Sequence, residues 1–160
     1  MNLARVKLAL GALVIILVAM EIFQPSRTNP PVVPSRSLAA HVKVPPGVYS
    51  ALLRSCGDCH SNQTSWPWYS RVAPLSWGIV DDVNEGRRHM NLQDSEARAT
   101  RAATDRPFDL CKEVREKGMP PFTYRIMHKD ARLAPQEIDA LCSWSQSLGP
   151  ALEQALRGQK

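Results

Sequence analysis

The chain has 160 residues, 44% apolar and 22% charged, which suits one globular domain with a terminal extension and excludes a multidomain enzyme, a multispan membrane protein or a repeat array. Its formal charge of +5 sits at the amino end: residues 1–46 hold five basic groups against one acidic, residues 47–160 fifteen against fourteen. No Lys/Arg-rich block interleaved with aromatics occurs, so nucleic acid is not expected as a partner.

At the N-terminus Arg5 and Lys7 precede an uncharged run from Leu8 to Met20, then Glu21-Ile22-Phe23. A basic start before an apolar run is an export segment, because positive charge stays on the cytoplasmic side while the run enters the bilayer. Thirteen uncharged residues match a signal-peptide core, whereas Leu3 to Phe23 spans a bilayer if Arg5, Lys7 and Glu21 lie at its interfaces. The small-residue cleavage sequence on offer, Ser37-Leu38-Ala39-Ala40, is far downstream. Residues 1–23 are therefore read as an uncleaved anchor, with a cleaved signal as the alternative. Residues 24–46 hold Pro25, Pro30, Pro31, Pro34, Pro45 and Pro46, which oppose helix and favour extended chain, so they are read as a tether.

From Gly47 the patterning is helical. Val48, Leu52 and Leu53 form a stripe leading to Cys56, and Ser76 to Met90 places Trp77, Val80 and Val83 at helical spacing. Gln93 to Arg106 is weakly patterned. Pro107 suits the first turn of a further helix with Phe108, Cys111 and Val114 inward and Gly118 at its end. The last helix opens at Ala134-Pro135-Gln136-Glu137, with Ile138, Leu141, Cys142 and Leu148 on its inner face. No segment alternates like a strand. The expectation is a small all-α domain over 47–148 with a short tail over 149–160.

Cys56-Gly57-Asp58-Cys59-His60 is the C-x-x-C-H pattern of covalent c-type haem attachment. Thiols three residues apart sit about one helical turn from each other, within reach of the two vinyl groups of one porphyrin, and His60 then falls under the iron as proximal ligand. Three other readings exist. A dithiol redox pair needs a βαβ context, which is absent; zinc needs a second knuckle, which Cys111 and Cys142 do not form; a plain disulfide needs nothing further. Haem attachment is the reading taken, and an exported chain agrees with it. Cys111 and Cys142 fall on the buried faces of the last two expected helices and are candidates for a disulfide, with two unpaired thiols as the alternative.

The segment from Ser55 to Trp77, reading SCGDCHSNQTSWPWYSRVAPLSW, resembles the bacterial haem-binding domain found in small exported single-haem c-type cytochromes. The resemblance extends to Asp82-Val83-Asn84-Glu85-Gly86-Arg87, Gly118-Met119-Pro120-Pro121-Phe122-Thr123-Tyr124, His128, Leu141-Cys142-Ser143-Trp144 and Arg27-Thr28-Asn29-Pro30-Pro31. It departs after Asn91, where Leu92, Gln93 and Asp94 replace an aromatic and a nearby Trp. The resemblance implies a cytochrome c-like helical domain around one covalent haem c, held at the bacterial inner membrane facing the periplasm, or soluble there after signal cleavage.

Met119, before Pro120-Pro121 and about sixty residues after His60, is the candidate sixth ligand, since proline stiffens a loop that must hold a weak thioether on iron. His128 is its rival. A filled sixth position leaves no room for oxygen or peroxide, which favours a single-electron carrier over a catalyst. A haem enzyme or gas sensor with a displaceable ligand, and an accessory haem subunit, are the other readings. Trp66, Trp68, Tyr69 and Trp77 are candidates to wall the porphyrin, with ordinary core packing as the alternative. Arg87 is a candidate partner for a propionate or a solvated helix residue. A redox protein or membrane complex is the expected partner.

Overall fold

A computed structural model of the chain describes residues 2–94 and 110–157, with side chains as far as residue 147. The expectations for Pro107, Phe108, most of the Gln93–Arg106 segment and the Leu148 side chain lie outside these residues. The described residues form an all-helical fold with no strand: α1 (Leu3–Ile22), α2 (Leu38–His41), α3 (Pro46–Cys56), α4 (Leu75–His89), α5 (Leu110–Arg115), α6 (Phe122–Met127) and α7 (Pro135–Arg157), with short 3-10 turns at Pro34–Arg36, Trp68–Arg71 and Lys129–Ala131. The chain divides into two compact units, one of Met1–Thr28 with Ser65–Asp82, the other of Asn29–Thr64 with Val83–Lys160.

In the first unit α1 starts where the Asn2 side chain accepts the Ala4 N–H at 3.3 Å, a cap on an otherwise orphan donor. Its 20 residues are about 30 Å long and none is buried, with a mean hydropathy of 2.3. By length and composition α1 can cross a membrane; a signal segment has the same character. Its last turn is tied to residues 65–82. Glu21 Oε1 accepts the Ala73 N–H at 2.9 Å, and the Phe23 carbonyl accepts the Trp77 indole N–H at 3.0 Å. Arg27 donates to the Ser70 carbonyl at 3.4 Å.

The second unit holds the main core. In α3 the buried positions are Val48, Ala51, Leu52, Ser55 and Cys56, a helical stripe with steps of three and four. Leu53, expected on that stripe, is turned outward at 37% exposure because the next residue along a helix points about 100° away. The α3 stripe meets Leu92, Leu110, Cys111, Val114, Leu141 and Cys142, with Leu52, Leu92 and Leu141 wholly buried. Cys111 and Cys142 form a disulfide between α5 and α7, Cα to Cα 4.5 Å, as the sequence suggests.

Three boundaries differ from the sequence reading. The segment expected to be a free tether is hydrogen-bonded to the second unit from Asn29 onward: the Pro31 carbonyl accepts from Asn62, the Leu38 N–H donates to Leu92, and the Lys43 carbonyl accepts the Trp144 indole N–H. Only part of this segment is extended as its proline content led one to expect: Pro34–Arg36 is a 3-10 turn and Leu38–His41 a single helical turn, where no proline blocks the local hydrogen bonds. Secondly, α5 ends at Arg115, and the left-handed residue is Lys117 (φ 61°) rather than Gly118, which lets the Met119 N–H reach back to the Glu113 carbonyl at 3.1 Å. Thirdly, α7 runs on to Arg157, past the expected tail boundary, since residues 151–157 are all strong helix formers.

Candidate functional site

The C-x-x-C-H segment continues the axis of α3. Past Cys56 the chain keeps turning: the His60 N–H donates to the Cys56 carbonyl at 2.8 Å and the Cys59 N–H to the same carbonyl at 3.2 Å. The two cysteines therefore lie about one turn apart. Neither is in a disulfide; Cys56 is buried and Cys59 partly so. Burial, with repulsion from Cys59 second, pushes the Cys56 thiol up to about 12, so it stays protonated at neutral pH. Among the described residues no group of three or more His, Cys, Asp or Glu side chains is placed to hold a metal ion.

His60 is 5% exposed, and its Nδ1 lies 3.0 Å from the Met90 carbonyl oxygen. A carbonyl only accepts, so Nδ1 carries the proton and Nε2 carries the lone pair. Burial holds the imidazole below its usual range, partly offset by the carbonyls of Met90 and Gly86, so the ring is neutral at pH 7. A buried neutral histidine with one nitrogen tied to backbone is prepared to coordinate a metal through the other.

Three contacts hold this segment. The Leu92 N–H donates to the His60 carbonyl at 2.8 Å, while Gln93 Oε1 accepts the Asn62 N–H and Asn91 donates to Asn62 Oδ1. On α4, a Cβ at Gly86 would stand 2.7 Å from the Cys59 carbonyl oxygen and 3.0 Å from Cys59 Cβ; only glycine lets the helix lie this close. The next residue, Arg87, donates through Nε to the Ser61 carbonyl and through Nη2 to Thr64 Oγ1 and Asn29 Oδ1, each at 2.8 Å. The guanidinium, a candidate for a propionate partner or a solvated helix residue, clamps the loop after His60 through these bonds.

The segment after α5 is joined to the same motif. The Tyr124 hydroxyl donates to Asp58 Oδ2 at 2.6 Å, and its ring stacks on His128 at 4.2 Å. Burial, reinforced by the Asp58 carboxylate, pushes the phenol well above its usual range, so it stays a donor. Met119 lines a cavity of about 210 Å³ with Val114, Pro120, Leu133 and Ile138 among its walls, and Val114 belongs to the core that contains Cys56.

The second unit thus brings together Cys56, Cys59, His60 and Arg87, and joins the segment bearing Met119 and His128 to them through Tyr124. Trp66, Trp68, Tyr69 and Trp77 belong to the first unit. There Trp68 and Tyr69 pack edge to face at 5.8 Å, and the Trp77 N–H is taken by the Phe23 carbonyl. The sequence reading overlooked Asp58, Gly86 and the Met90 carbonyl. Gly86 was visible as the glycine of Asn-Glu-Gly-Arg; a backbone acceptor such as Met90 leaves no mark in a sequence.

A family model described as a haem-binding domain matches residues 15–147. No curated protein and no solved structure matches the chain.

Proposed function

We infer that this chain, which belongs to the haem-binding domain family, is a membrane-tethered monohaem cytochrome of the c type that carries single electrons on the periplasmic side. The observation that carries the inference is the placement of two thiols outside any disulfide, one turn apart, beside a buried neutral His60 whose Nδ1 is tied to Met90. Cys56 and Cys59 would hold the porphyrin by thioether bonds, His60 Nε2 would be the proximal ligand, and Met119 the distal one. Bound there, the haem supplies a reversible one-electron couple. The chain's own part is to hold His60 in one tautomer, to bury the attachment turn against Leu52 and Leu92, and to keep water from it.

His128 is the second reading for the distal position, favoured by its stacking on Tyr124, which bonds the attachment motif directly. A thioether favours ferrous iron relative to a second imidazole, so the choice sets the potential. The bacterial inner membrane is the setting proposed with α1 read as an anchor and with the family resemblance, and a redox protein or membrane complex is the partner such an anchored carrier would serve.

The test is whether haem stays with the polypeptide through acidified-solvent extraction. Retention in the wild type, with loss in the Cys56→Ala/Cys59→Ala pair, supports covalent attachment. Haem that leaves the wild-type chain on extraction contradicts it.

A further inference from the structure

We propose that the Trp68–Trp77 segment is a membrane-surface contact, with Trp68, Val72, Leu75 and Trp77 entering the boundary between lipid headgroups and acyl chains where α1 leaves the bilayer. The proposal rests on the reading of α1 as a retained anchor.

Length fixes the level of the helix end. Twenty residues at 1.5 Å each match a hydrocarbon core of about 30 Å, so with Leu3 at one boundary Ile22 and Phe23 stand at the other. Two hydrogen bonds then hold residues 73 and 77 at that level. One runs from the Ala73 N–H to Glu21, the other from the Trp77 indole to the Phe23 carbonyl, at 2.9 and 3.0 Å. Two attachment points four residues apart prevent the segment from pivoting away.

The side chains it presents suit that level. Trp68 is 74% exposed, Leu75 57%, Val72 41% and Trp77 40%, an apolar group that water does not favour. Trp is the side chain most suited to the bilayer boundary, apolar in body with one polar edge. Arg71 is the one charged residue between Ser65 and Trp77, and its cation complements lipid phosphate. Glu21, an acid in the last turn of an apolar helix, has its carboxylate oxygens met by the Ala73 N–H and by the Gln24 amide at 2.7 Å, which makes it tolerable at such a boundary.

Full-length holoprotein in lipid nanodiscs tests this, with phosphatidylcholine compared against its chain-brominated analogue as a short-range quencher of tryptophan fluorescence. The ratio of the two intensities cancels quenching inside the protein. We expect bromine-dependent quenching in the wild type and loss of much of it in Trp68→Phe and in Trp77→Phe. Leu75→Asp should weaken it while leaving the visible spectrum intact. Co-flotation with lipid is read on the same samples. A chain that floats but shows no bromine-dependent quenching, or quenching that both Trp substitutions leave unchanged, overturns the proposal and leaves the anchor standing; a patch covered by a protein partner or a second copy gives this result. A chain that does not float overturns the anchor and the proposal together.

Discussion

The imidazole Nδ1 of His60 lies 3.0 Å from the carbonyl oxygen of Met90, the residue that follows the last turn of α4. The bond ties the C-x-x-C-H motif at the end of α3 to the end of a helix thirty residues on, and it sets which nitrogen carries the lone pair. Its acceptor is backbone, so it depends on where α4 lies.

That position depends on Gly86. In Gly86→Ala the new methyl meets the Cys59 carbonyl at 2.7 Å and forces α4 away from the motif. We expect a loss of about 1–3 kcal/mol, the usual range for overpacking, read from the denaturant midpoint at unchanged slope. Haem content per chain should fall with it.

Arg87→Lys keeps the charge and loses the fork. A lysine ammonium cannot satisfy Ser61, Thr64 and Asn29 together as the guanidinium does. Loss of about 1–2 kcal/mol is expected in thermal or chemical melts, from hydrogen bonds made by a charged donor. A melt unchanged by the substitution would show that the clamp contributes nothing.

Glu137 caps α7 and reaches α3 at once. Its Oε2 accepts the Ala134 N–H and meets Arg54, each at 2.8 Å. The Ala134 N–H, then Arg54, hold its carboxyl below the usual range. A depressed pKa stabilises the fold fully above the unfolded value of about 4.3, and that stability is lost as pH falls through the lower native value. Glu137→Gln should therefore cost about 1 kcal/mol at neutral pH, and the difference from wild type should shrink towards nothing in acid. A constant difference across pH would rule out this origin.

The Cys111–Cys142 bridge closes a loop of 31 residues between α5 and α7. Replacing both by Ser should cost about 2–4 kcal/mol, chiefly through the unfolded chain's greater freedom. Reduction of the wild type should lower its melting temperature to a similar degree, while the double variant should not respond to reductant.

What a sequence reveals here follows from how local each signal is. The C-x-x-C-H motif, the α3 stripe and the apolar α1 are short-range patterns, visible in the spacing alone. The disulfide was legible because two cysteines fell on inward helix faces. Arg87 was legible as a residue of interest, while its bonds to Ser61, Thr64 and Asn29 were not, since those acceptors are brought together only by folding. The same holds for the tether: proline content announces extended chain, but not that Pro31, Leu38 and Lys43 find partners on the domain. Trp77 reads as part of an aromatic cluster downstream of the motif, whereas its N–H is committed to Phe23 at the end of α1, fifty-four residues earlier.

The central measurement is the optical spectrum of purified, fully matured protein, oxidised and then reduced, beside Met119→Ala and His60→Ala. The expected result is a sharp low-spin c-type spectrum with a sulfur-to-ferric-iron charge-transfer band, that band vanishing in Met119→Ala and the low-spin spectrum collapsing in His60→Ala. A high-spin spectrum, or one that Met119→Ala leaves unchanged, would contradict His60/Met119 ligation and the electron-carrier reading built on it.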